Sequence, residues 1–156
     1  MLEKKSSLIK GRWGFIDEKN YPVEKPSNYD MQNAMYNGWL HSTLVTGTLC
    51  YGVDGTIVWT RHNFPGSWND SETSRLFQLK LSNPAISLDN YGVLSDSAFP
   101  VSGNMFGKIL TPLKDGELEK AHPAARKALS AISEAICSLR QPAEWEMGST
   151  ENFHTF

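Results

Sequence analysis

Hydrophobic residues along the chain fall into short runs separated by turn-forming residues, and the first three runs predict strands. The run Trp13–Asp17 (WGFID) predicts a short strand ending on an acid, because the following stretch EKNYPVEKPSN contains prolines that disfavour a long regular element. The runs 40–51 and 56–64 are rich in β-branched and aromatic residues, as strands are. The Asp54-Gly55 dipeptide between them is typical of a hairpin. We therefore expect these two strands to pair antiparallel.

Two helices are predicted farther along the chain. Asn69 and Glu72 have the spacing of a capping box and predict a helix from about Asp70 to Leu81. From Ala124 onward, apolar residues recur at steps of three and four, which predicts an amphipathic helix. These apolar residues are Leu129, Ile132, Ile136 and Leu139. Pro142 predicts either a kink or a new helix that carries it in its first turn.

Two further apolar segments lie between the predicted helices. The segment 91–96 (YGVLSD) ends on an aspartate, like the first strand. The segment 107–113 (GKILTPL) carries Pro112 near its end, which indicates a strand terminus or a sheet edge. The whole order of elements predicts a mixed α/β layer structure with an antiparallel hairpin. That order fits an RNase H-like domain.

Composition limits the class of protein. The 156 residues include 40% hydrophobic residues and carry a formal net charge of −2, which fits one globular domain and excludes intrinsic disorder and a basic nucleic-acid tail. We expect residues 1–12 to form a flexible N-terminal segment and residues 13–156 to form the domain. No apolar run approaches the roughly 18 residues of a membrane span, and residues 1–10 contain no apolar stretch resembling a signal peptide. The two cysteines lie far apart, which excludes a cysteine-built zinc site, and we expect a soluble, intracellular protein.

Three acids occupy positions that a metal site would use. Asp17 and Asp96 each close a predicted strand, and Glu144 lies on the terminal helix. Two aspartates at converging strand ends, with one helical carboxylate, suit a hard divalent cation. Two such cations activate water and stabilise the leaving oxygen in phosphodiester cleavage. The alternative is that both aspartates form turns and that Glu144 belongs to a solvated helix face.

Other candidates have plainer explanations. Asp70 follows the cap residue and complements the helix dipole. Ser67 and His62 would form a hydrolase triad with Asp70, but no GxSxG elbow accompanies them. The histidines lack zinc-binding spacing, and no P-loop or GxGxxG sequence is present.

A succession of short motifs resembles one family of nucleases. In order they are WGFIDEKNYPV, NAMYNGWLHSTLVTG, FPGSWNDSETSRLF, GVLSDSAFP, ILTPLK and SLRQPAEWEMG. Their order resembles that of the transposase-derived DDE endonucleases of the PIF/Harbinger superfamily, from about Trp13 to the C-terminus. The resemblance implies an RNase H-like fold, an Asp-Asp-Glu triad, two Mg²⁺ or Mn²⁺ ions, DNA as substrate and a nuclear location.

The resemblance also implies roles for individual residues. Asp17 stands in the GFID motif, Asp96 in LSDSAFP, and Glu144 in an RxxxE motif that begins at Arg140. Glu134 competes for the third position but has no arginine four residues before it. Asp70, in PGSWND, matches a recurrent family aspartate, for which we expect a structural role or a role in supporting the metal ligands.

The chain departs from the family pattern in ways that leave alternatives open. Glu18 stands where the family has glycine, and Pro142 lies two residues before Glu144. An N-terminal helix-turn-helix region and further helix after the third acid are expected in full-length relatives, so the domain is expected to be C-terminally truncated. DNA binding would then need a separate region or partner protein, and the oligomeric state stays open. A decayed or domesticated binding module is one alternative, and a fragment that does not fold alone is another.

Overall fold

The structure, a computed structural model, describes residues 9–97, 99, 101 and 103–151, without the side chains of residues 104 and 142–151. Six strands form one sheet: β1 (Arg12–Pro22), β2 (Tyr36–Asn37), β3 (Ser42–Gly52), β4 (Ile57–Pro65), β5 (Gly92–Leu94) and β6 (Ile109–Leu110). The α-helices are α1 (Tyr29–Met35), α2 (Asp70–Thr73), α3 (Arg75–Ser82), α4 (Glu117–Lys120) and α5 (Pro123–Glu151). A 3-10 helix covers Gly103–Met105.

The sheet is mixed, and its order places β1 in the middle. Neighbouring strands follow the order β4-β3-β1-β5-β6, and the short β2 also pairs with β3. The pairs β1/β3, β2/β3 and β3/β4 are antiparallel, whereas β1/β5 and β5/β6 are parallel. The predicted mixed α/β class and the antiparallel hairpin are both confirmed. The predicted sheet edge is confirmed too, because β6 is the last strand on its side among the residues that the structure describes.

β1 is much longer than the sequence predicts. The expectation of a short strand that ends at Asp17 is wrong, because the strand continues to Pro22 and places Asp17 in its interior, opposite Leu49 of β3. The cause is long-range pairing, since β3 offers an equally long partner from Leu44 to Gly52. Pro22 lies past the stretch of β1 that pairs with β5, where β1 is an edge on that side and tolerates proline.

The predicted helix 70–81 is divided into two. Asn69 and Glu72 form the predicted capping box, which starts α2. The helix then breaks at Ser74, whose hydroxyl donates a hydrogen bond to the carbonyl oxygen of Asp70. Such a local side-chain bond competes with the regular helical ladder. α3 begins directly after it.

Each face of the sheet carries its own hydrophobic core. Ile16 packs with Phe77 and Leu81 of α3 on one face. Phe15 packs with Ile136 of α5 on the other, together with the buried Ile9 from the N-terminal segment. Because side chains alternate along a strand, Asp17 lies on the α5 face and Glu18 lies on the α3 face.

α5 runs without interruption through Pro142 to Glu151, so a separate helix starting at Pro142 does not form. This continuity keeps residues 140 and 144 in one helix. Among the described residues, no helix combines the length and the apolar character that crossing a membrane requires.

Candidate functional site

Asp17 lies at the centre of the sheet beside the terminal helix. Its side chain is 24% exposed, and one carboxylate oxygen lies 3.8 Å from a guanidinium nitrogen of Arg140 in α5. Its Oδ1 accepts a hydrogen bond of 2.9 Å from the backbone N–H of Glu18. These contacts fix the carboxylate in the gap between the sheet and α5.

Asp96 is brought to Asp17 by the parallel pairing of β5 with β1. Phe15 is paired with Leu94, and each aspartate follows its paired residue by two positions. The buried Ser95 holds this extension in place, because its hydroxyl donates a 2.9 Å hydrogen bond to the Ile16 carbonyl oxygen. Asp96 lies two residues beyond β5, and its Oδ1 accepts a 2.7 Å bond from the Phe99 N–H. It therefore has the turn-forming role considered from the sequence and also lies near Asp17.

The electrostatics of Asp17 reflect this neighbourhood. The pKa of Asp17 is raised to about 6, chiefly by burial, then by the charge of Asp96 and more weakly by that of Asp70. The Arg140 charge and the Glu18 N–H act in the opposite direction and lower that pKa. A like charge beside a buried carboxylate is costly, and a bound cation would offset that cost.

The third expected acid is placed only by its backbone. Glu144 lies in α5, one helical turn after Arg140, and its side chain lies outside the described residues. Residues four apart share a face of a helix, so Glu144 follows Arg140 along the same side of α5. The competing Glu134 is exposed and accepts a hydrogen bond from Ser130. It lies six residues before Arg140, which places it on a different face of the helix.

A second acid pair lies on the opposite face of the sheet. Glu18 accepts a hydrogen bond from the Thr46 hydroxyl, and its carboxyl group also hydrogen-bonds that of Asp70. Burial raises the pKa of Glu18 to about 8, with the Asp70 hydrogen bond as the next cause. A hydrogen bond between two carboxyl groups requires a proton on one of them. From the sequence, Glu18 is only a departure from the family pattern. The alternation of side chains along a strand is the signal that predicts it on the face opposite Asp17.

The donor set suits a hard cation, although the described residues do not complete a site. Among the side chains that the structure describes, no three His, Cys, Asp or Glu residues are grouped to hold a metal ion. Asp17 and Asp96 supply two carboxylates, the type of ligand that Mg²⁺ and Mn²⁺ prefer. Two adjacent carboxylates with a third acid expected from α5 are therefore chemically compatible with a divalent metal.

The hydrolase triad considered from the sequence does not assemble. His62 lines a cavity of about 750 Å³ with Lys19 and Tyr21. Ser67 and Asp70 line a different cavity of about 510 Å³. The serine and the histidine therefore belong to separate sites.

Comparisons with known proteins give one family. The comparison with curated proteins found no match, and neither did the comparison with solved structures. The family model described as "DDE superfamily endonuclease" matches residues 16–156, which include Asp17, Asp96 and the helix bearing Glu144. Its match covers most of the chain, and the chain therefore belongs to the DDE superfamily of endonucleases.

Proposed function

We propose that this protein is a divalent-metal-dependent DNA endonuclease whose catalytic acids are Asp17, Asp96 and Glu144. The family supports a nuclease or transposase-like role with DNA as substrate. The observation that carries the residue assignment is the juxtaposition of Asp17 and Asp96 by the β1/β5 pairing, beside Arg140 of α5.

We also propose that the domain has an RNase H-like fold of the PIF/Harbinger type. Support comes from the sheet order, in which three antiparallel strands are extended on one side by two parallel strands. The long terminal helix packs on the face that carries Asp17. The motif order in the sequence supports the same subfamily.

In the proposed mechanism the chain's residues position the metal ligands. Asp17 and Asp96 would hold metal ions together with Glu144, and Arg140 and the Glu18 N–H would orient the Asp17 carboxylate. The Phe99 N–H fixes one oxygen of Asp96. When bound, two Mg²⁺ or Mn²⁺ ions supply an activated water and charge stabilisation at the scissile phosphate.

A nicking assay tests this proposal. We expect the wild type to nick supercoiled duplex DNA in Mg²⁺ and Asp96→Ala to lose at least about 100-fold in rate, because loss of a ligand costs more than loss of a supporting group. Asp115→Ala is the matched control, since Asp115 is an exposed acid in a loop. Equal rates for wild type and Asp96→Ala, or no cleavage by either, would contradict the proposal.

The second candidate function is a non-catalytic binding module derived from the same fold. The observation that favours it is Glu18, which adds a carboxyl group to Asp70 where the family has a glycine. The net charge of −2 also favours it, because strong DNA binding draws on basic surfaces. The two candidates differ in Mn²⁺ binding, which the nuclease requires and the module does not.

DNA as substrate leads to two further proposals. A separate region or partner protein would bring the domain to its target, since phosphate contacts dominate DNA affinity and the chain carries a net charge of −2. We propose a nuclear location because the DNA would be found there.

A further inference from the structure

One aromatic side chain near Glu18 and Asp70 is almost completely exposed. Trp39 is 90% exposed, the highest value among the large hydrophobic residues that the structure describes. It lies in the short connection between β2 and β3. An exposed indole keeps its ring face and its N–H donor available to a ligand.

The connection that carries Trp39 is held in a fixed shape. The side-chain oxygen of Asn37 accepts hydrogen bonds from the backbone N–H groups of Trp39, at 3.0 Å, and Leu40, at 2.9 Å. The side-chain nitrogen of Asn37 donates a 2.8 Å bond to the carbonyl oxygen of Gly66. One asparagine therefore braces this connection and ties it to the turn before α2. A ligand that stacks on Trp39 would not have to order the backbone first.

Trp39 forms part of a cavity that also contains the Glu18 and Asp70 pair. The cavity of about 510 Å³ is lined by Trp39 and Trp68, and also by Glu18 and Asp70. The Trp68 ring stacks on Phe64, with ring centroids 5.0 Å apart and planes at 20°. The Arg61 guanidinium lies 5.0 Å from the Phe64 ring centroid. Trp68 is therefore a supported aromatic wall. The cavity lies on the sheet face that carries Glu18, opposite the face that carries Asp17, and the charge of Asp70 in its lining still acts on Asp17.

The chemistry of the cavity favours a nucleobase over a phosphate. Aromatic rings provide stacking surfaces, which every base can use. An ionised carboxylate repels phosphate, whereas carboxyl oxygens accept hydrogen bonds from the exocyclic amino groups of bases, as they do from cytosine. A chain with a net charge of −2 also has little electrostatic affinity to offer DNA.

We propose that Trp39 is a stacking platform that holds one unpaired base of the DNA substrate in this cavity. The inference rests on the proposed nuclease function and adds to it that the substrate strand is held beside Glu18 and Asp70, on the sheet face opposite Asp17. Its substrate is DNA with an unpaired or extruded base, because a base inside an intact duplex has both faces covered.

Fluorescence anisotropy with a labelled single-stranded oligonucleotide tests the platform in the full chain. We expect Trp39→Ala to weaken binding about 5- to 150-fold, which corresponds to the loss of one stacked base. Trp39→Tyr should retain most of the affinity, since it keeps an aromatic face. Phe106→Ala is the matched control, because Phe106 is an aromatic residue that is 72% exposed and does not line the cavity.

The outcomes separate the platform from the nuclease. Equal affinity of Trp39→Ala and wild type, with wild-type nicking intact, would overturn the platform and leave the nuclease standing. Absence of DNA binding by the wild type would overturn both the platform and the nuclease function. A protein partner would then be the remaining candidate ligand of the cavity. If Trp39→Ala and Phe106→Ala weakened binding of the oligonucleotide equally, that result would also overturn the platform.

Discussion

At the scale of single residues, the site is dominated by acids that are costly to ionise. Burial raises the pKa of Asp17 and of Glu18, and each also lies near another carboxyl group. A raised carboxyl pKa means that the folded state holds its proton more tightly than the unfolded chain does. The metal-free protein is therefore expected to be destabilised as these groups lose their protons.

The first prediction concerns stability against pH without metal. The pKa values of Asp17 and Glu18 lie at about 6 and about 8, both above their unfolded values near 4. Their contribution to stability is therefore complete below about pH 4 and is lost as pH rises through 6 and 8. Urea unfolding in EDTA at several pH values should show a falling free energy of unfolding across this range.

Glu18→Gln removes the upper titration and should flatten the fall between about pH 6 and 8. Glu119→Gln, which changes an exposed glutamate in α4, is its control and should leave the fall unchanged. A free energy of unfolding that stays constant or rises over this range would contradict the assignment of raised pKa values.

At the scale of elements, two features hold the site together: the β1/β5 pairing and the packing of α5. Ser95 ties the end of β5 to β1, and Ile136 of α5 packs on Phe15 and Leu94. Neither contact touches the expected metal, yet both set the distance between Asp17 and its neighbours. The site should therefore be sensitive to changes in these supports.

The second prediction concerns the tie between β5 and β1. Ser95→Ala removes a buried hydrogen bond to the Ile16 carbonyl oxygen and should cost about 1–3 kcal/mol. For a chain of this length that corresponds to a Tm lower by roughly 2–12 °C. Differential scanning calorimetry measures it, with Ser71→Ala at an exposed serine of α2 as the control. A Tm equal to that of the control would show that the tie contributes nothing.

The third prediction concerns the packing of α5. Ile136 is fully buried and its neighbour Cys137 is exposed, so the two positions of one helix form a matched pair. Ile136→Ala should lose about 2–5 kcal/mol by cavity formation, whereas Cys137→Ala should stay within about 0.5 kcal/mol. Chemical denaturation of both variants distinguishes them, and similar losses in both would mean that α5 does not pack as described.

These elements also show what the sequence can reveal. Local signals found the hairpin through Asp54-Gly55 and the start of α2 through Asn69 and Glu72. The length of β1 was missed because it depends on β3, a partner that no local pattern displays. The Glu18–Asp70 contact was missed for the same reason, since it joins a strand to a helix far along the chain. The helical pattern correctly predicts that Glu144 lies on the terminal helix, and its role as a metal ligand stays a prediction.

At the scale of the whole molecule, family membership indicates DNA as the substrate, whereas the net charge does not favour DNA binding. The family acts on DNA, yet the chain carries 15 basic residues against 17 acidic ones. Part of that acidity lies in the proposed site, where bound cations would offset it. The remaining surface has little excess positive charge with which to contact phosphates.

The fourth prediction follows from this charge balance. DNA affinity should fall only weakly with salt, because few phosphate contacts release few counterions. Anisotropy titrations between about 50 and 200 mM salt should lose roughly tenfold or less, against the roughly 10³- to 10⁵-fold expected for a protein with 6–10 phosphate contacts. A steep slope of that size would reveal a basic DNA-binding surface and contradict the need for a separate DNA-binding region.

The most direct test of the account is calorimetric titration of the full chain with Mn²⁺. The wild type should bind Mn²⁺ at pH 7.5, and binding should weaken toward pH 5 because protons compete for Asp17, whose pKa is about 6. Asp17→Asn and Asp96→Asn should each abolish binding, while Asp115→Asn at an exposed loop acid should bind as the wild type does. Absence of Mn²⁺ binding by the wild type, or binding unchanged in both site variants, would contradict the proposed metal site.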